Sequence, residues 1–194
     1  MPEWAGVEDV QLLKLAKDGD AEAFGEIYSR YAKLIFGFLY ANLDSRLDAE
    51  DLTGEVFLRA WDALSGYREK GIPFSAFLLR VARNALYDHY RRSKFASNHV
   101  PIENVNLLDD SDPEEAASNN LEHEELRRVL RQLDNEDYRS VLILRFLRDK
   151  SPAETAQIME RSVGAVRVLQ HRALGAVRKI LHSDENEKDD EQSE

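Results

Sequence analysis

The stretch "SPAETAQIMERSVGAVRVLQHRA", residues 151–173, decides the fold of the C-terminal part of the chain. It opens with Ser151 and a proline, and Glu154 follows three residues after the serine, which is the pattern of a capping box at a helix start. A turn at residues 160–161 leads to Ser162, which can cap a second helix. The stretch predicts a helical hairpin. Its spacing alone favours neither DNA binding nor an ordinary hairpin with a solvated charged face.

The second helix of this hairpin has one apolar face and one polar face. The side chains expected to be buried are Val163, Val166, Ala173 and Val177. Those that fall largely on the opposite face are Ala165, Arg167, Val168, His171 and Arg172. This face combines guanidinium groups, which suit phosphate or guanine, with small apolar groups, which suit thymine methyls. Such a helix suits the major groove of DNA.

The charge of the chain is unevenly distributed. The net charge is −11, which is unexpected for a protein that binds a polyanion. Residues 1–94 carry a net −2, residues 95–125 a net −9, residues 126–182 a net +6 and residues 183–194 a net −6. Because salt screens charges over roughly 8–10 Å, the local charge decides contact with phosphate. The hairpin lies in a basic segment, and most of the acid lies in a linker and a tail.

Hydrophobic periodicity predicts an all-α protein of two small helical domains. Residues 1–94 form the first domain, in which a loop at about residues 66–73 precedes a helix at about residues 75–92. Residues 95–125 are acidic and poor in apolar side chains, which predicts a flexible linker. Residues 126–182 form the helix-turn-helix domain, and residues 183–194 a disordered acidic tail.

Several function classes are disfavoured by what the sequence lacks. There are no cysteines, which excludes a disulfide framework, a thiolate metal site and a cysteine nucleophile. There is no glycine-rich phosphate loop, and the five histidines are scattered. We therefore expect no enzymatic activity, no cofactor and no metal. The start lacks a signal-peptide pattern, and the longest apolar run, Leu34–Ala41, is too short to span a membrane, so we expect a cytoplasmic protein without membrane insertion.

Three carboxylates share one helix face in the first domain. Asp48, Asp51 and Glu55 are spaced i, i+3 and i+7, with Leu52 and Val56 at neighbouring positions. An acidic rim around apolar residues suits a basic partner surface. The residues alone favour the alternative, a solvated face with acids placed at a helix start. A metal site is disfavoured because no histidine accompanies the three acids.

The helix predicted near residues 75–92 is basic and contains interleaved aromatic rings. Its polar and charged groups are Arg80, Arg83, Asn84, Asp88, His89, Arg91 and Arg92. Opening a base pair requires cations for the backbone and flat or polar side chains beside a displaced base. The alternative is an amphipathic helix in which Arg80 or Arg83 simply pairs with nearby acids.

The hairpin resembles a known family. Residues 151–178 resemble the C-terminal domain of bacterial sigma-70 family sigma factors of the extracytoplasmic-function (ECF) group, and "LDNEDYRSVLILRF" resembles the helix that precedes it. "SVGAVR" followed by "HRA" resembles the recognition helix that reads the minus-35 promoter element. The resemblance implies minus-35 contacts by Ser162, Gly164, Ala165, Arg167, Val168, His171 and Arg172. Residues 168–170 depart from the more polar or basic set that many members carry there.

The first domain resembles the same family independently. "DAEDLTGEVFLRAWDAL" resembles the main surface for RNA polymerase core, which implies that Asp48, Asp51, Leu52, Glu55 and Val56 contact the clamp of its largest subunit. "FSAFLLRVARNALYDHYRR" resembles the reader of the minus-10 element, which implies that role for Arg80, Arg83, Asn84, Asp88, His89, Arg91 and Arg92. The loop at residues 65–73 corresponds to the family loop that captures a flipped base.

The resemblance implies a function and partners. The expected function is an alternative sigma factor that binds polymerase core at its clamp and flap regions, directs it to promoters and assists melting. An anti-sigma factor is an expected partner. The acidic linker is either a mimic of nucleic acid in a basic channel of polymerase or a plain spacer. The rival function is a helix-turn-helix regulator that acts without replacing sigma, which would require a sensing or dimerising module.

Overall fold

The computed structural model describes residues 4, 6–68, 73–96 and 126–191, and within them every regular element is helical. This confirms the all-α fold. The first domain contains α1 (Asp9–Lys17), α2 (Ala21–Asn42), α3 (Arg46–Ala63), a single 3-10 turn (Leu64–Gly66) and α4 (Phe74–Ala96). The second contains α5 (residues 126–131), α6 (Glu136–Leu142), a wider π-helical turn (Ile143–Leu147), α7 (Pro152–Ile158) and α8 (Val163–Glu191).

Local chemistry fixes the tight connection between α1 and α2. Gly19 has φ +96°, a left-handed conformation that glycine adopts without the strain of a side chain, and it ends the first helix. Asp20 begins the next one, because its carboxylate accepts from the backbone N–H groups of Glu22 and Ala23 at 2.9 and 3.0 Å. The two helices therefore reverse direction and pack against each other.

The core of the first domain forms where α4 packs against α2 and α3. Ile27, Phe38, Val56 and Leu78 are fully buried there. Burying each such side chain contributes about 1.5–3 kcal/mol. This packing fixes which faces of α3 and α4 remain available to other molecules.

The second domain is built around the hairpin. The π-helical turn leads to Asp149, whose φ of +48° redirects the chain toward α7. Ser151 and Glu154 form the predicted capping box at the start of α7. Ile158 and Val166 are buried between the two helices of the hairpin, which holds α8 at a fixed angle to its support.

The two domains contact each other. Helix α4 packs against α7, and α2 lies against α6 and the π-helical turn. The guanidinium group of Arg148 lies directly against Gly37, where a Cβ atom would overlap it, so a larger residue at this point of α2 would displace the end of the Arg148 side chain. The two helical bodies therefore form one continuous packed unit in the described part of the chain.

The predicted boundaries differ from the structure at the C-terminus. The sequence predicted a disordered tail after residue 182, whereas α8 continues to Glu191. A helix elongates more readily than it starts, and no glycine or proline interrupts it after Gly175. The part of the predicted linker that follows α4, residues 97–125, lies outside the described residues. None of the described helices is long and apolar enough to cross a membrane.

Candidate functional site

The start of α8 is shaped by the turn that precedes it. Glu160 has φ +53°, which reverses the chain after α7. The hydroxyl of Ser162 then accepts from the backbone N–H of Ala165 at 3.1 Å and caps α8, as predicted. Val166 and Ala173 are fully buried, so the opposite face of this half of α8 points to solvent.

The residues predicted to read the minus-35 element are all exposed on this helix: Ser162, Gly164, Ala165, Arg167, Val168, His171 and Arg172. Among the residues predicted to be buried, Val177 is half-buried, and Val163 is exposed over 37% of its surface. It is the first residue of α8, so no preceding helical turn covers it. The structure therefore presents a continuous polar and small-apolar surface on one side of the helix.

The unusual segment 168–170 is divided between surface and interior. Val168 is exposed, whereas Leu169 packs against the core. The side-chain oxygen of Gln170 accepts from Arg145 Nε at 3.1 Å, which ties α8 to the π-helical turn. Of these three residues, Val168 alone is exposed.

The face of α3 predicted to bind polymerase is only partly exposed. Asp48 and Asp51 are exposed and Glu55 is half-buried. Leu52 and Val56 are 3% and 0% exposed, because this side of α3 packs inside the domain. The structure thus places these two predicted contact residues in the core.

Two apolar side chains that the prediction missed stand on the outer face of α3. Leu47 and Leu58 are 65% and 70% exposed, and they flank Asp51 at spacings of four and seven residues. These spacings put all three on one stripe of the helix. The stripe lies opposite the buried residues. Apolar residues out of phase with the buried face of α3 were the signal in the sequence that could have identified this stripe.

Arg83 on α4 is not a surface residue. Only 7% of it is exposed, and its Nη2 lies 2.9 Å from Asp137 Oδ1 and 3.0 Å from the hydroxyl of Tyr87. Its guanidinium group also stacks over the Tyr87 ring, 4.5 Å from the centroid. Burial and the hydrogen bond to Asp137 raise the pKa of Tyr87 to about 12. Arg83 therefore pairs with an acid inside the protein, as the alternative interpretation of this helix expected.

Asp137 joins the two domains. Besides Arg83, it accepts hydrogen bonds from Tyr87 and from Arg161 of the hairpin turn. Burial works to raise the pKa of Asp137, but the hydrogen bonds from Tyr87 and Arg83 outweigh it, and the pKa is lowered. Arg80 makes a looser contact, with its Nη1 3.8 Å from Glu160 Oε1.

A second network of charges bridges α3 and α4. Arg59 binds Asp88 at 2.9 Å and also binds Glu55, while Arg91 lies 3.0 Å from Asp88. Arg92 lies 3.5 Å from Glu55. The hydrogen bond from Arg59 lowers the pKa of Asp88. Two predicted binding acids therefore have internal partners.

The remaining residues of α4 that were predicted to bind DNA differ in how exposed they are to solvent. Asn84, Arg91 and Arg92 are exposed, whereas His89 is half-buried, with its Nε2 4.0 Å from a carboxylate oxygen of Asp48. The outward groups form a basic strip along α4. His89 joins this strip to the carboxylates of α3.

The described surface also contains two concave features. A cavity of about 400 Å³ is lined by residues that include Tyr67, Arg68, Phe77, Arg80 and, from α7, Gln157. An apolar groove of about 190 Å³ lies on the second domain, with Phe146 at its exposed edge. Sequence reasoning missed the groove because its walls come from α5, α6, the π-helical turn and α8. No cluster of metal-ligating side chains occurs in the described ranges.

Comparison with protein families assigns both domains. The family described as Sigma-70 region 2 matches residues 27–95, and the family described as Sigma-70, region 4, matches residues 123–177. The first match covers α3 and α4, and the second covers the helical hairpin.

Similar proteins align with most of this chain, across both matched regions. The ECF RNA polymerase sigma factor BldN of Streptomyces coelicolor is 32% identical over 90% of this chain, which spans 66% of the length of BldN. ShbA of Streptomyces griseus is 33% identical, over 87% of this chain and 93% of its own length. SigD of Mycobacterium tuberculosis is 32% identical, over 80% of this chain and 76% of its own length.

Solved structures share the fold. CnrH, solved with the cytosolic domain of CnrY, superposes with a TM-score of 0.67 at 24% identity, over 91% of this chain and 98% of its own. RpoE of Bartonella quintana, solved with the anti-sigma factor NepR, gives 0.63 at 22% identity, over 84% and 99%. With both regions matched, in this order and at this identity, the chain belongs to the sigma-70 family of RNA polymerase sigma factors, in the ECF group.

Proposed function

We propose that this protein is an alternative sigma factor that binds RNA polymerase core, directs it to particular promoters and assists melting of the minus-10 region. The observation that carries the proposal is the exposed polar face of α8, in a segment of net charge +6, on a chain that also carries region 2. It works in the cytoplasm, where polymerase is, and catalyses no bond chemistry. The energy for opening DNA comes from binding, since contacts to unpaired bases must offset unstacking of a few kcal/mol per step.

Core polymerase binds the outer stripe of α3. Leu47 and Leu58 offer apolar area on either side of Asp51, and no hydrogen bond or ion pair from the described residues engages the Asp51 carboxylate. An exposed acid between apolar groups suits a basic clamp surface. Leu52 and Val56 act indirectly, by fixing the helix in place.

The minus-35 element binds the exposed face of α8. Arg167 and Arg172 provide the cationic groups for guanine or phosphate, and Ala165 and Val168 the apolar contacts for thymine methyls. The capped start of α8 leaves the groove-facing residues in a fixed register. This geometry supports direct reading of bases by the first turns of the helix.

The minus-10 element binds the basic strip of α4. Asn84, Arg91 and Arg92 are already exposed, and the cavity lined by Tyr67 and Phe77 has the rings needed beside a displaced base. Arg80 lies on the wall of the same cavity and stacks on Phe77, with 5.9 Å between its guanidinium carbon and the ring centroid.

The apolar groove of the second domain accepts an amphipathic helix, either from the flap region of polymerase or from an anti-sigma factor. Its exposed lining is entirely apolar, with Phe146 and Leu126 at the rim. Exposed patches of this type mark protein-binding surfaces. The complex of RpoE with NepR supports the class of partner.

In vitro transcription with sigma-free core polymerase and a genomic template tests the proposal. We expect initiation at a small set of sites that depends on added protein. Asp51→Arg should abolish initiation and core pull-down, because it places a cation against a basic partner. Asp18→Arg is the matched control, since this acid is exposed on the α1–α2 turn. Initiation that requires another sigma factor would favour the rival regulator, and no initiation at any site would reject the proposal.

A further inference from the structure

The two DNA-binding surfaces of the proposed function are held together by contacts within the free protein. Helix α4 of the first domain packs on α7 of the second. We propose that Asp137 is a latch that keeps the domains in a closed state, in which the chain cannot engage both promoter elements. This inference rests on the proposed function for its biological meaning, and on the contacts of Asp137 for its physics.

Asp137 binds cations from both domains. Arg83 comes from α4, and its Nη2 lies 2.9 Å from Asp137 Oδ1. Arg161 comes from the turn directly before the recognition helix and binds the other carboxylate oxygen. Tyr87 donates a further hydrogen bond. One carboxylate thus holds two guanidinium groups that flank the DNA-binding faces.

This arrangement imitates the way that arginines bind a phosphate. Two guanidinium groups that converge on one anionic group make the charge-assisted hydrogen bonds they would otherwise make to a DNA backbone. In the closed state, Asp137 occupies Arg83 and Arg161, and Glu160 lies near Arg80. Promoter phosphates must displace these carboxylates before they can bind the same arginines.

The closed state is too compact for a promoter. The ion pair between Arg80 and Glu160 places α4 within two side-chain lengths of the turn, and Ser162 follows two residues later. The minus-10 and minus-35 elements are nominally about 25 base pairs apart, which is about 85 Å along the duplex. Binding both elements therefore requires the domains to separate.

The rest of the interface contains buried polar atoms without a partner among the described residues. Arg127 stacks over Tyr40 at 3.5 Å, and Arg139 Nη1 lies 3.4 Å from the backbone oxygen of Asn42. Arg127, Arg139 and Arg148 each bury guanidinium nitrogen atoms for which the described residues offer no acceptor. Burial also lowers the pKa of Arg148. Because unpaired buried donors are costly, this contact is weaker than an apolar interface of the same size.

Fluorescence energy transfer within the free chain tests the latch. The sequence contains no cysteine, so Lys33→Cys and Lys179→Cys allow specific labelling of one exposed site in each domain. Asp137→Asn keeps the shape of the side chain but removes its charge. We expect the efficiency of energy transfer to fall, because the ratio of closed to open molecules should drop roughly tenfold. Binding of the free chain to promoter duplex should tighten by up to the same factor.

Two further variants keep the test decisive. Asp134→Asn makes the same charge change at an exposed acid just before α6, and it should leave energy transfer unchanged. Tyr87→Phe removes a hydrogen bond that crosses from α4 of the first domain to Asp137, and it should lower transfer in the same direction as Asp137→Asn does. Unchanged transfer in both latch variants would overturn the inference, as would an equal fall in the Asp134→Asn control.

The measurement also separates the latch from the proposed function, because it uses neither polymerase nor DNA. Loss of transfer in a protein that never supports initiation would leave the latch standing and reject the sigma function. Initiation by a protein whose latch variants show unchanged energy transfer would support the sigma function and reject the latch.

Discussion

The two domains differ in how they use the side chains that were predicted to bind. In the second domain, all the predicted residues of α8 are exposed. In the first, Leu52 and Val56 are core residues, Arg83 is buried, and Glu55 and Asp88 have internal ion-pair partners. The exposure of the predicted residues therefore agrees with a binding role along α8 but not for several residues of α3 and α4, and the contacts themselves stay predictions.

The difference follows from the number of sides on which each helix is covered. The start of α8 rests on α7 and α6 and leaves its other side open. Helix α4 is enclosed by α2, α3 and α7, so its charged residues meet acids from several elements. A polar residue on an enclosed helix must find an internal partner. On an enclosed helix, charge thus indicates a binding face only at the residues that stay exposed, such as Arg91 and Arg92 of α4.

The largest expected effect separates the two faces of α3. Leu52→Ala should lower the free energy of unfolding by about 2–5 kcal/mol, because it removes a buried side chain. Leu58→Ala should change it by less than about 0.5 kcal/mol, since the residue is largely exposed. Leu58→Ala should instead weaken core polymerase binding by about 1–2 kcal/mol. Denaturant melts and core pull-down measure both, and equal stability losses would contradict the assignment of faces.

The next effect concerns the exposed face of α8. Arg167→Ala and Arg172→Ala should each weaken promoter binding of the holoenzyme by about 1–3 kcal/mol, without loss of stability. Arg178→Ala provides the control, because it removes an exposed cation from the same helix beyond the proposed reading face. Footprinting at fixed salt measures the change. If Arg178→Ala weakened binding as much, only general charge would be at work.

A smaller effect is expected where α7 begins. Glu154 accepts from the backbone N–H of Ser151 at 2.9 Å, and this bond lowers the pKa of Glu154. Glu154→Ala should lower the free energy of unfolding by about 1 kcal/mol, whereas Glu154→Gln, which can also accept, should retain most of it. Thermal melts compare the variants. A full loss in the glutamine variant would show that charge rather than capping matters.

The smallest effect depends on pH. The pKa of Asp88 is lowered in the fold by Arg59, so its contribution to stability is present above the ordinary pKa of an aspartate and is lost as pH falls through the folded value. Asp88→Asn should therefore lower the melting temperature slightly at neutral pH. The difference from the unmodified protein should shrink as pH falls below the ordinary aspartate pKa of about 3.9, and it should vanish at acid pH below the folded pKa of Asp88. A difference that persisted there would contradict an electrostatic origin.

Local features of the fold were predictable from the sequence, because neighbours in the chain decide them. The capping box at Ser151, the cap at Asp20 and the helix stop at Gly19 each depend on residues within one turn. The partnership of Arg83 with Asp137 spans 54 residues and two domains, and no periodicity reports it. The burial of Leu52 likewise depends on which helices pack around α3, and this is a property of the assembled core.

The length of α8 reconciles an acidic chain with a DNA-reading helix. The helix has 29 residues, and none from Val163 to Ser183 is acidic. Asp184 begins the acidic stretch about 18 Å along the axis from Arg172, at about 1.5 Å per residue. This is about twice the Debye length of roughly 8 Å at physiological ionic strength. The helix thus serves as a rigid spacer, and its anionic end repels a bound duplex only when the surrounding buffer is dilute.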